Sequence, residues 1–102
     1  MNKPFNGLTD AQAERLAMLA EECGEVVQVV GKTLRHGYDS HCPGDPAKVT
    51  NRQLLTKEIG DVRHVVRMLC DAMDVAFMGV EQAEQGKAMR VGKYLHHQAD
   101  PS

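Results

Sequence analysis

The stretch that decides the fold is residues 9–37, TDAQAERLAMLAEECGEVVQVVGKTLRHG. Thr9 followed by Gln12 has the form of a capping box, the start signal of a helix. From there Leu16, Leu19, Ala20, Cys23, Val27, Val30 and Leu34 recur at three- and four-residue steps as far as Gly37. That spacing predicts a helix of about 27 residues. Gly37 stands where a left-handed C-terminal cap belongs, with Lys32, Arg35 and His36 in the last turn, where cations complement the helix dipole.

Outward from that helix the chain reads as more helix separated by one polar loop. Residues 38–49, YDSHCPGDPAKV, are dense in turn formers and form a loop long enough to be more than a connector. Thr50 and Gln53 repeat the capping-box pattern, and Leu55, Ile59, Val62, Val66, Leu69 and Met73 mark a second long helix, with Asp74 ending it or capping the next. A weaker third helix is expected from about residue 76 to 95, carrying Met78, Ala83, Ala88, Val91 and Leu95, before a frayed tail over 96–102.

The 102 residues, 42% hydrophobic and 25% charged, suit one domain with a core spanning 9–95. Few aromatics and no Trp argue against an all-β core. Twelve Lys and Arg against fourteen Asp and Glu lack the basic excess of a binder of polymeric nucleic acid. No apolar run approaches a membrane span or a signal peptide, so a soluble, cytoplasmic protein with no membrane partner is expected. Cys23, Cys42 and Cys70 read as reduced thiols. Neither His41-Cys42 nor His96-His97 has the spacing of a zinc site.

The chemistry lies in where the carboxylates fall. Beside the main apolar stripe of the first helix runs a second line, Met18, Glu22, Glu25, Val29, in which two acids stand between apolar residues. The second helix has the same arrangement in Leu54, Glu58, Asp61, Val65, Met68. Residues three apart share a helix face, so each pair aims two carboxylates one way, with Glu21 adjoining the first pair. An antiparallel hairpin would bring four or five acids into one space, where repulsion raises their pKa values or calls for cations. All-oxygen ligation suits Mg²⁺, with Mn²⁺ as a substitute.

Glu21-Glu22-Cys23-Gly24-Glu25 followed by Glu58-Ile59-Gly60-Asp61 resembles the EExxE … ExxD signature of the MazG-like, all-α nucleoside triphosphate pyrophosphohydrolase superfamily. The likeness covers residues 14 to 75, including Asn51 and LLTKEIGDVRHVVRML, and extends loosely to the third helix. It implies Mg²⁺-dependent cleavage of a ribo- or deoxyribonucleoside triphosphate to the monophosphate and pyrophosphate, in a nucleotide-pool or house-cleaning role. It assigns Glu22, Glu25, Glu58 and Asp61 to metal, and Glu21 to orienting or deprotonating the attacking water. Lys32, Arg35, Lys87, Arg90 and Lys93 become the cations for substrate phosphate, the last three recurring at three-residue steps. It also implies long antiparallel helices that complete a four-helix-bundle-like core through a homodimer or a dimer of dimers, which the small chain's many apolar faces favour as well.

The interval between Glu25 and Glu58 is longer than the usual signature, and the surplus is the 38–49 loop. Tyr38 and Phe77 are the aromatics available to stack on a base, while Phe5 and Tyr94 read as packing residues. The alternatives are a phosphoribosyl-ATP pyrophosphatase of the same superfamily, and a non-catalytic metal-binding helical module serving assembly.

Overall fold

A computed structural model describes residues 5–98. Helix α1 spans Asp10–His36, 27 residues, and begins as its sequence requires. Thr9 Oγ1 accepts the Gln12 N–H at 3.1 Å while Gln12 Oε1 accepts the Thr9 N–H at 2.8 Å. Helix α2 spans Asn51–Asp71 and opens on the same reciprocal pair, between Thr50 and Gln53, at 2.9 and 3.1 Å. Helix α3 spans Phe77–Arg90, followed by a 3-10 turn over Val91–Tyr94. The described residues are thus all helical apart from loops and an isolated antiparallel bridge between His41 and Thr50. Among them no helix is long and apolar enough to cross a membrane, and all three cysteines are free thiols.

Three ends differ from expectation. Gly37 donates its N–H to Thr33 O at 2.7 Å, but its φ of 88° comes with a ψ of 167°, outside the left-handed helical well. This extended conformation at positive φ is open in practice only to glycine, and it turns the chain straight out of α1 into the loop. Helix α2 stops at Asp71, two residues before Met73, which takes a φ of 58°. Helix α3 is shorter than the expected 76–95, and its N-cap is Ala76, whose side chain makes no capping hydrogen bond. The expected tail lies outside the described residues beyond residue 98.

The chain groups into two compact units, one running up to Leu69 and one from Cys70 onward. In the first, α1 and α2 form an antiparallel hairpin. Asn51, at the start of α2, donates from Nδ2 to Gly37 O at the end of α1, 3.0 Å away, while Glu58 and Asp61 farther along α2 reach back to Glu22.

The structure decides which line of each helix turns inward. On α1 it is Met18, Glu22, Glu25 and Val29, all at least half-buried, with Val29 inside; on α2 it is Leu54, Glu58, Asp61 and Val65. The interior therefore holds Val29, Val65 and Leu69 together with the buried polar residues Asn51 and Glu58. Much of the stronger apolar stripe faces outward: Val27 is 70% exposed, Leu34 82% and Ile59 47%. In the second unit α3 buries no residue, and Tyr94, like Phe5 in the first unit, is exposed rather than packed.

Candidate metal centre between the hairpin helices

One carboxylate oxygen from each of Glu22, Glu58 and Asp61 lies within 4.8 Å of the other two. Each arrives for a local reason. Glu22 follows Met18 by one turn on the inward line of α1, and Glu58 and Asp61 are three residues apart on that of α2. Val29 and Val65, one turn beyond Glu25 and Asp61 on the same lines, are both buried.

The cluster is under electrostatic load. Glu22 Oε2 and Glu58 Oε2 are buried without a hydrogen-bond partner, an arrangement that costs folding free energy unless a cation satisfies it. Glu25 meets Glu58 in a side-chain hydrogen bond that only a protonated acid can donate. That bond, with repulsion from Glu58 and then Glu22, pushes Glu25 up to about 7. Glu21 is exposed and adds the smallest contribution to this shift.

Lys57, which the sequence reading did not single out, partly answers the charge. Its Nζ lies 2.7 Å from Asp61 Oδ2 and 3.6 Å from Glu58 Oε1, and the bond to Asp61 holds its ammonium charged to higher pH than usual. The four-residue step from Lys57 to Asp61 was the available signal. The buried Asn51, part of the resemblance, ties the end of α1 to the start of α2 through its carboxamide.

Of the four acids expected at a metal, three therefore converge directly and Glu25 joins through Glu58. The expected phosphate cations divide between the two units. Lys32 and Arg35 line a cavity beside the 38–49 loop, none of whose walls is one of these acids. Lys87 and Arg90 belong to the second unit, in the last turn of α3. Lys93 falls past the end of that helix, on the 3-10 turn, with its Nζ 5.1 Å from the Tyr94 ring centroid. Tyr38, expected as a stacking surface, has the Arg52 guanidinium over its ring at 4.5 Å.

The donor set fits a hard divalent cation: three carboxylates within chelating reach, two buried oxygens lacking partners, and no soft ligand in the group. No family model, curated protein or solved structure matches the chain.

Proposed function

We propose that the protein is a Mg²⁺-dependent nucleoside triphosphate pyrophosphohydrolase, with Mn²⁺ able to replace Mg²⁺. The observation that carries this reading is the convergence of Glu22, Glu58 and Asp61, with Glu25 bonded to Glu58, at the positions where the sequence resembles the MazG-like signature.

In this reading Glu22, Glu58 and Asp61 hold the metal, and Glu25 completes the site once it loses its proton. Mg²⁺ held there would supply charge neutralisation for the phosphates and would make the attacking water easier to deprotonate. Glu21, exposed beside the cluster, orients the attacking water and takes its proton. The water oxygen bonds to phosphorus, the bond from that phosphorus to the bridging α–β oxygen breaks, and the monophosphate and pyrophosphate separate. Lys32, Arg35, Lys87, Arg90 and Lys93 are the proposed phosphate cations.

The uncovered stripe supports self-association into a dimer or dimer of dimers. Full burial of a Val, Leu or Ile side chain stabilises by about 1.5–3 kcal/mol, and Val27 and Leu34 realise little of it, and Ile59 about half, within one hairpin. The test of the activity is pyrophosphate release from a panel of ribo- and deoxyribonucleoside triphosphates and phosphoribosyl-ATP with Mg²⁺. Release by the wild type and its loss in Glu58→Gln is the expected result; no release from any member refutes the reading.

A further inference from the structure

Beside the 38–49 loop, and wholly within the first unit, lies a cavity of about 450 Å³, in the size range of small-molecule sites. Pro43, Val49 and Leu54 give it apolar walls, and Lys32, Arg35 and His41 bring basic groups to it. The one acid of its lining, Asp45, is occupied by its own loop, accepting the Ala47 N–H at 2.9 Å and the Val49 N–H at 3.0 Å. Those bonds, Val49 first, hold its carboxyl below the usual range. The cavity therefore presents positive charge beside apolar surface.

Its walls are built, not incidental. The Asn51 N–H donates to Ser40 O at 2.9 Å and the Arg52 N–H to Tyr38 O at 2.8 Å, fastening the first residues of the loop to the start of α2. The cavity shares its helices with the acids. Leu54 precedes Glu58 by one turn, about 6 Å of rise, and Lys32 follows Glu25 by two, about 10 Å. An inorganic phosphate would leave the apolar walls unused, and an uncharged apolar ligand would leave the cations unanswered. A flat heterocycle linked to a phosphate chain uses both.

We propose that this cavity receives the base and sugar of the nucleotide whose phosphates lie toward the hairpin acids, so that the 38–49 loop selects the nucleotide. The proposal rests on the pyrophosphohydrolase reading and adds the element that recognises the nucleoside.

The test is calorimetric titration of the full chain with Mg²⁺ plus α,β-non-hydrolysable triphosphates of the four bases, and with Mg²⁺ plus inorganic tripolyphosphate. Cys42→Trp, at an exposed lining position, places an indole in the cavity. It is expected to weaken nucleotide binding by about tenfold or more while tripolyphosphate binding stays within about twofold. His41→Ala is expected to change the ranking of the bases, and serves as the test if Cys42→Trp loses its helical circular dichroism. Unaltered nucleotide affinity and ranking in the folded variants overturn the cavity assignment and leave the pyrophosphohydrolase reading standing. Failure of the wild type to bind either nucleotide or tripolyphosphate overturns both.

Discussion

Glu25 on α1 and Glu58 on α2 share a hydrogen bond that exists only while one of the two carries a proton, and Glu25 holds that proton up to about pH 7. In the unfolded chain Glu25 releases it near its ordinary value of 4.5. Between those values the folded state binds more protons than the unfolded one, so stability falls as pH rises and levels off above about 7. The metal-free melting midpoint should decline across that window, and Glu25→Gln should flatten the decline. Asp45, shifted in the opposite direction, loses its contribution as pH falls through the acid range below 3.8 and does not overlap this window. A midpoint that rises between pH 4.5 and 7 in the wild type contradicts the proton-sharing pair.

Lys57 Nζ lies 2.7 Å from Asp61 Oδ2, so a divalent cation reaching that oxygen has to displace it. Removing that resident charge in Lys57→Gln should tighten Mn²⁺ binding, by roughly threefold or more at low ionic strength, with the gain shrinking in salt. Calorimetric titration at two salt concentrations measures both effects. Weaker Mn²⁺ binding in the variant would mean that Lys57 positions the acids instead of competing for them.

Gly37 holds a φ of 88° and a ψ of 167° and accepts the Asn51 carboxamide on its carbonyl. A Cβ there meets nothing within 4 Å, so the penalty for Gly37→Ala is conformational, not steric crowding. Strain of this kind costs about 1–3 kcal/mol. Urea unfolding of Gly37→Ala should show that loss with an unchanged denaturant slope; a neutral result would show that the chain leaves α1 by another route.

Leu34 is 82% exposed in the single chain, so Leu34→Glu should leave the hairpin itself within about 0.5 kcal/mol of the wild type. Any change in its sedimentation then reports assembly. The wild type should sediment as a multiple of 11.2 kDa, with Leu34→Glu shifted toward the single chain. A wild type that sediments at 11.2 kDa removes the proposed self-association.

What the sequence could show followed the range of the interactions involved. Thr9 with Gln12 and Thr50 with Gln53 form within four residues, and both capping boxes are present with both hydrogen bonds. The placing of Glu22 with Glu25, and of Glu58 with Asp61, on one face each was legible from helical geometry, and those faces do meet. The ψ of Gly37 was not legible, because its carbonyl is held by Asn51 from fourteen residues away. Nor was the end of α2, where Met73 takes a positive φ that its side chain does not announce. Two apolar lines competed for the inside of each helix, and hydrophobicity alone favoured the one with Val27 and Ile59. The hairpin turned the acidic line inward instead, and left much of the other uncovered.

The most direct measurement is paramagnetic resonance of free Mn²⁺ titrated with the protein at pH 8, in the wild type, Glu22→Gln and Glu58→Gln. If the inward acids are a divalent-metal centre, the wild type removes the free-ion signal, each variant binds at least about tenfold more weakly, and wild-type binding fades as pH drops through about 7 with protonation of Glu25. A free-ion signal that persists with the wild type, or that Glu58→Gln removes equally well, would contradict the metal centre and the hydrolase built on it.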